Sequence, residues 1–318
     1  GRATRICAGC PAMDWVALSP HDITDFTGEP PTVIGVYAKV FSKAWVYAAI
    51  FVLVWAAVNA TLKAVGCGDM IHGQRRGSWA LKSAMLLHHG LVTPVAFVGI
   101  FQDPATLAMY RCFGCAEVAP LMNRDPLHAP LAARVLTPVT LGYFLGDLLL
   151  LSQWNLNRGG MVENALMLLH HIASLLVWPA AIYFDWVARY VIIMLSYEFT
   201  SFWLTVVWML SAAGLKSSLY FKVAGGIFTL SFVVMRMVGA IPQLIAMWNA
   251  PPWSVELEHK AQPGGIHPWC SFFCYSLVLP HMLNLFWGVK VVNGFVAILL
   301  GGKKQRKTAN GASDAKGD

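Results

Sequence analysis

Apolar positions in this chain gather into long runs separated by shorter polar segments. Crossing a bilayer as a helix takes about 20 mostly apolar residues. Seven runs meet that length, at about 44–62, 80–101, 134–152, 161–183, 187–210, 219–247 and 269–299. The last two are long enough to tilt or to extend past the membrane. Segments 1–43 and 308–318 are polar and rich in Gly, Pro, Ser or Asp, which predicts loosely ordered tails. Segments 102–133 and 248–268 carry the Pro, Gly and charge of irregular connections. No internal repeat is visible. The pattern predicts an all-α, multi-pass transmembrane helical bundle. Its parts are a tail (1–43), a first span and loop (44–79), a six-span domain (80–300) and a basic cytosolic tail (301–318).

The polar residues inside the spans carry the chemical information. The stretch MLLHHIASLL (167–176) holds His170 and His171 in an apolar run, with Ser174 one turn on. A charge near the bilayer centre costs roughly 2–3 kcal/mol or more. Other spans carry His88 and His89, Asp147, Glu198 with Thr200, Ser201 and Thr205, Arg236, and His281 with Asn284. Such groups turn inward, find partners or draw in water. Near mid-span, Arg236 and Glu198 are expected to pair. Asp147 is placed to accept a hydrogen bond from a histidine and fix its tautomer. A lone intramembrane polar group more often glues helices together, and His88, His281 and Asn284 taken singly fit that role. Adjacent histidines point about 100° apart on a helix, so one faces a cavity squarely while the other contacts a neighbour. A tandem pair near Asp147 and Glu198 points to acid–base chemistry, acyl transfer or metal binding.

Composition supports the membrane setting. Of 318 residues, 57% are hydrophobic and 12% charged, against about 25% charged in soluble domains. Thirteen Trp residues suit membrane–water interfaces. The net charge of +7 is scattered through loops and gathered in GGKKQRK (301–307), a cytosolic flank near anionic lipid rather than a nucleic-acid surface. Lys and Arg bias places Lys63, Arg75, Arg76, Lys82, Arg158, Lys216 and Lys222 inside. The N-terminus is therefore expected in the lumen or outside and the C-terminus in the cytosol, with Lys39 and Lys43 arguing mildly the other way. The first residue is Gly, so a fragment or processed form is expected.

Two CxxC motifs, CAGC (7–10) and CFGC (112–115), fall on the same outer side of that topology. About a hundred residues and two spans separate them, far from zinc-ribbon spacing, so they are expected to be incidental or to form disulfides. Cys270 and Cys274, one turn apart, are expected to pack. There is no HExxH pattern, and no metal site is expected. No P-loop, GxSxG or dinucleotide fingerprint occurs, and no resident cofactor is expected.

The pieces SAMLLHHGL (83–91), GYFLGDLLLL (142–151), HHIASLL (170–176), EFTSFWL (198–204), Arg236 and LNLFWGVKVVNG (283–294) together resemble the TLC domain family, shared by ceramide synthases and translocating-chain-associated proteins. The likeness covers roughly residues 80–300 and lies closer to the small TLC-domain proteins than to the synthases. It implies a six-helix ring, plus one N-terminal helix, around a polar cavity that handles a lipid or acyl chain. The synthases transfer an acyl group from acyl-CoA at a histidine pair, and His170 and His171 fall on that pair. Their HD-x-x-D element is missing here, where YEFTSF (197–202) stands instead. That departure counts against ceramide synthesis.

The resulting expectation is a role in membrane lipid homeostasis. The acyl-transfer form of it has His170, His171, Asp147 and Glu198 as the chemical group and acyl-CoA as substrate. His88, His89, Ser174, Ser201, Arg236, His281 and Asn284 would then line the cavity. The alternative is a non-catalytic lipid sensor, carrier or cargo receptor using the same cavity. KK at 303–304 is not a terminal dilysine signal, which weakens a cycling receptor. A retinal protein is disfavoured because Lys290 lies towards the cytosolic half of its span, where it can snorkel. The expected partners are membrane lipids and no nucleic acid, with a homo-oligomer left open. The expected site is the endoplasmic reticulum or another secretory-pathway membrane, with the plasma membrane left open.

Overall fold

The computed structural model of the protein describes residues 33–115, 131–151, 161–183, 185–249 and 276–299. Among these residues the architecture is helical, apart from one two-stranded hairpin. Helix α1, Val33–Ala64, starts earlier than the predicted span at 44, so residues 33–43 are helix and not tail. Past Gly35 its sequence has neither Pro nor Gly to break it. It ends where Gly66 takes φ +87° and the Cys67 amide closes on the Leu62 carbonyl at 2.9 Å, a left-handed cap that glycine makes without steric cost.

A tight hairpin follows, β1 Met70–Ile71 and β2 Gln74–Arg75, turned by His72 and Gly73, both at positive φ. Helix α2 is Arg76–Gln102. Asp103 then caps the short α3, Pro104–Arg111, by accepting from the Thr106 amide at 2.9 Å, with Pro104 preorganised at the first helical position. The predicted loop 102–133 therefore contains a helix. Cys112 and Cys115 are disulfide-bonded just after it. CAGC (7–10), Cys270, Cys274 and the basic tail lie outside the described residues.

Helices α4 (Leu131–Leu149) and α5 (Met161–Tyr183) come next. Then α6 (Asp185–Ser196) and α7 (Glu198–Ala212) follow, separated only by Tyr197. Helix α8, Leu219–Ser231, runs into a π-helical turn, Phe232–Val238, and on into α9, Ala240–Asn249. The last helix, α10, is Val278–Leu299.

Among the described residues, four stretches are long and apolar enough to cross a membrane: Ile34–Ala64, Arg76–Gln102, Ala188–Ala212 and Leu219–Asn249. With α4, α5 and α10 they make an all-α membrane bundle. Six rods close around one cavity, supplied by α2, α4, α5, α6–α7, α8 with its π turn, and α10. Helix α1 lies outside that ring, with its broadest contact on α4.

The α1–α4 seam explains how tightly the bundle closes. Gly142 and Gly146, four apart on α4, face Ala44 and Ala48, four apart on α1. A Cβ on Gly142 would lie 2.4 Å from the Tyr47 Cβ and 2.6 Å from the Ala44 carbonyl oxygen. Lipid tails are as apolar as Leu, so helices in a bilayer gain contact by bringing backbones together over small residues. Apolar side chains facing outward, such as Leu53, Leu91, Leu230 and Val289, are then lipid-facing surface.

Candidate functional site

The cavity has a volume of about 440 Å³. Methionine, phenylalanine and tryptophan side chains make much of its wall, and polar groups from every rod converge on it. From α2 come Lys82 and His89, from α4 Tyr143, from α5 His170 and His171. Helix α7 adds Glu198, Thr200 and Ser201, the π turn Arg236, and α10 Asn284 and Lys290.

Two histidine–carboxylate pairs are built into this wall. His89 Nδ1 lies 2.7 Å from Glu198 Oε2, joining α2 to α7. His171 Nε2 lies 3.1 Å from Asp147 Oδ2, joining α5 to α4. The other His171 nitrogen, Nδ1, meets the Met167 carbonyl oxygen one turn back at 2.8 Å. His171 thus sits between the Met167 carbonyl, which meets Nδ1, and the Asp147 carboxylate, which lies within ion-pair distance of Nε2 without hydrogen-bond geometry. His170 differs. It makes no hydrogen bond among the described residues and is half-buried on the cavity wall. Its ring is edge-on to Phe144 at 5.7 Å and to Trp287 at 6.5 Å, which carries the wall from α5 to α10. The two neighbours therefore divide as helix geometry requires, one facing the cavity and one tied to a neighbouring helix.

Tyr143 stands between the pairs. Its ring stacks on His88 at 4.1 Å and lies 5.7 Å from His89 and 6.2 Å from His171. Its hydroxyl makes no hydrogen bond among the described residues, which leaves a phenol donor available at the cavity.

Arg236 does not pair with Glu198, as the sequence suggests it would. Its Nε donates to Thr200 Oγ1 at 2.6 Å and its Nη1 to Asn284 Oδ1 at 3.2 Å. Its Nη2 donates to the Tyr197 carbonyl and to Ser201 Oγ, each at 2.9 Å. Every one of these acceptors is neutral. The fork geometry of a guanidinium allows four such bonds at once. The π turn is what aims it, since one extra residue per turn rotates Arg236 out of register with α8. Glu198 answers to His89 instead.

The other expected site residues are placed as follows. His89, Ser201, Arg236 and Asn284 line the cavity; His88, Ser174 and His281 do not. His88 is buried behind Tyr143, and Ser174 is buried on α5. His281 is buried on α10 with neither ring nitrogen bonded. Asp147 sits behind His171 and reaches the cavity only through it.

Sequence reasoning passed over Tyr143 and Gln243 and counted Lys82 among the inside bases; the structure places Lys82 and Tyr143 on the cavity wall. The fully buried Gln243 on α9 donates to the hydroxyls of Tyr197, at 2.5 Å, and Tyr110, at 3.4 Å. This net ties α3, α6–α7 and α9 together beside Arg236. Burial pushes the Tyr110 hydroxyl up to about 12, so it stays a neutral partner. A polar glutamine in an apolar run was the one available signal for it. Farther out, Asp103 also holds Arg189 Nε at 3.0 Å and so fastens the α3 cap to α6.

Among the described residues, no cluster of three or more His, Cys, Asp or Glu side chains is arranged to hold a metal ion. The family model for the TLC domain matches residues 78–293, more than half of the chain. No curated protein matches the sequence.

Proposed function

The chain belongs to the TLC domain family, and from that premise we propose that its cavity performs acyl transfer to a lipid. The family places it among integral membrane proteins with a lipid-related role. The observation that carries the finer reading is the division of labour among the histidines. His170 offers a free imidazole to an apolar cavity, and two carboxylate-held imidazoles stand near it.

In this reading His170 is the general base. It takes the proton from an acceptor hydroxyl or amine as that group attacks the acyl-CoA thioester carbonyl, and returns it to the departing thiolate. Tyr143 donates a hydrogen bond to the carbonyl oxygen as charge develops there. Asp147 holds His171, and Glu198 holds His89, each as a positioning residue. The apolar wall keeps water from competing for the thioester.

Orientation belongs to the same proposal. The Cys112–Cys115 disulfide fits an oxidising compartment, which supports an orientation with the end of α2 in the lumen or outside and the Lys82 end towards the cytosol, where acyl-CoA is available. A secretory-pathway membrane such as the endoplasmic reticulum fits.

The second reading is a lipid sensor or carrier. Its support is the static polar wall, in which Arg236 already makes four hydrogen bonds and His171 Nδ1 meets the Met167 carbonyl. Lipid profiling with labelled fatty acid, in cells expressing wild type, His170→Ala or nothing at matched levels, separates the two. A labelled lipid class that rises only with wild type supports transfer. Matching profiles for wild type and His170→Ala reject it in favour of binding.

A further inference from the structure

The Cys112–Cys115 disulfide takes no part in the cavity chemistry, and its setting differs from that of a permanent staple. It closes a loop with only Phe113 and Gly114 between the cysteines. The stabilisation a disulfide gives grows with the loop it closes, so a loop this short gives the least. Cys112 is exposed and Cys115 half-buried, and exposed cystines are the ones that reduce readily.

Two local features favour opening. The bridge spans a Schellman turn, in which the Gly114 N–H donates to the Met109 carbonyl at 2.8 Å and the Phe113 N–H to the Tyr110 carbonyl at 3.4 Å. That motif puts the residue after the cap in the left-handed region, where glycine is the usual occupant. Here the residue is Phe113, at φ +57°, a strained backbone for a bulky side chain. The bridge holds a conformation that Phe113 resists. The second feature is a hydrogen bond: the Cys115 amide donates to Cys112 Sγ at 3.2 Å. The same N–H can hold Cys112 as a thiolate when the S–S bond breaks, and a stabilised leaving thiolate speeds exchange.

This turn is also where the end of α3 is fastened to α9. Gly114 is seated so closely that a Cβ there would lie 2.4 Å from the Pro242 carbonyl oxygen and 2.9 Å from the Ala246 amide nitrogen. The Gly114 carbonyl accepts from Asn249 Nδ2 at 2.8 Å. Nearby, Tyr110 meets Gln243, Gln243 meets Tyr197, and the Tyr197 carbonyl holds Arg236. The π turn that carries Arg236 leads straight into α9.

We propose that Cys112–Cys115 is a thiol–disulfide exchange site, and that its redox state sets how firmly the turn grips α9. The thiolate of an external thiol attacks Cys115 Sγ, the S–S bond breaks, and Cys112 leaves as the thiolate. A second external thiolate attacks the external sulfur of the mixed disulfide, and Cys115 leaves. Two external thiols become one disulfide, and their two electrons and two protons end on Cys112 and Cys115 as thiols. With the bridge open, Phe113 leaves the left-handed region, Gly114 withdraws from Pro242 and Ala246, and α9 loosens. Nothing in this site requires the cavity to react, so it stands apart from the acyl-transfer reading.

The test uses the full chain in neutral detergent, with the other cysteines replaced by serine. It is equilibrated in glutathione buffers running from mostly oxidised to mostly reduced, and free thiols are counted with a maleimide mass tag. Half-reduction within that series is expected, with the tryptophan fluorescence of the folded chain retained. A pair that stays bridged in excess reduced glutathione until the chain unfolds overturns the proposal. Amide exchange then compares the oxidised and reduced chains. Reduction should speed exchange severalfold in 240–249 as well as in 104–115, and leave Leu131–Leu149 unchanged. A change confined to 104–115 overturns the proposal as well. The double variant Cys112→Ser/Cys115→Ser should exchange like the reduced chain; exchange like the oxidised chain would show that the bridge holds nothing. If that variant does not fold, the oxidised and reduced wild-type pair decides by itself.

Discussion

Adding one methyl group at Gly142 should do far more harm than adding it at Gly146, although both substitutions are Gly→Ala on the same helix. At Gly142 the new Cβ would meet the Tyr47 Cβ at 2.4 Å, the Ala44 carbonyl oxygen at 2.6 Å and the Ala48 amide nitrogen at 2.9 Å. Carbon atoms in contact rest about 3.5–4.0 Å apart, so α1 and α4 must separate by about 1 Å. Two of the three obstacles are backbone and cannot swing aside. Overpacking of this kind costs about 1–3 kcal/mol. The better helix propensity of alanine returns up to about 1 kcal/mol. A net loss of about 1–2 kcal/mol is expected, which is a few degrees in Tm. At Gly146 the nearest obstacle is Phe51 Cδ1 at 2.7 Å, the edge of a ring that can turn. There the propensity gain should offset most of the strain, leaving Tm within about 2 °C of wild type. Thermal unfolding of the two purified variants, followed by tryptophan fluorescence, reads this directly. Equal stability of Gly142→Ala and wild type, or a larger loss at Gly146, would refute the close-approach reading of the seam.

Further outcomes follow from the site. Asp147→Ala leaves His171 without its carboxylate in a buried position and should cost about 3–5 kcal/mol, with Asp147→Asn milder, both read as a fall in Tm; no fall would mean the pair carries no stability. Arg236→Lys keeps the charge but cannot serve Thr200, Asn284, Ser201 and the Tyr197 carbonyl together, so it should cost about 1–3 kcal/mol, measured the same way. Retained full stability would show that charge alone matters there. In a chain whose other cysteines are replaced, Cys112 and Cys115 should resist maleimide until reduced. A membrane-impermeant reductant added from the lumenal or outer side should suffice, and a need to reach the cytosolic side would reverse the orientation. Asp103→Ala removes both the α3 cap and the Arg189 contact and should cost about 1–3 kcal/mol, seen as faster amide exchange in α3.

The extent of the bundle was legible because bilayer crossing is a one-dimensional constraint. Length and apolar content suffice for it, and the seven runs correspond to the seven rods around and beside the cavity. Helix ends were less legible. Residues 33–43 place Lys39, Ser42 and Lys43 among apolar side chains, which lowers local hydropathy without ending a helix, so α1 reaches further back than its predicted apolar run. The short α3 was hidden in a segment whose Pro and Asp read as loop signals. Asp103 and Pro104 are instead a cap and a first-turn proline, residues that open helices as readily as they open turns.

The sequence by itself determined that polar groups had to converge, because the bilayer gives Asp147, Glu198, Arg236 and the histidines no other place to go. It also determined, through the motif set, the family resemblance that the TLC match bears out over residues 78–293. Which group meets which was decided only in three dimensions. Glu198 meets His89, from a helix more than a hundred residues earlier, and Arg236 meets neutral oxygens. Spacing along a chain fixes the face a side chain occupies on its own helix, but not the rotation or depth of the helix opposite. The approach of α4 to α1 depends on the backbone contacts at Gly142, and the direction of Arg236 on the π turn that carries it, neither of which spacing along the chain reveals.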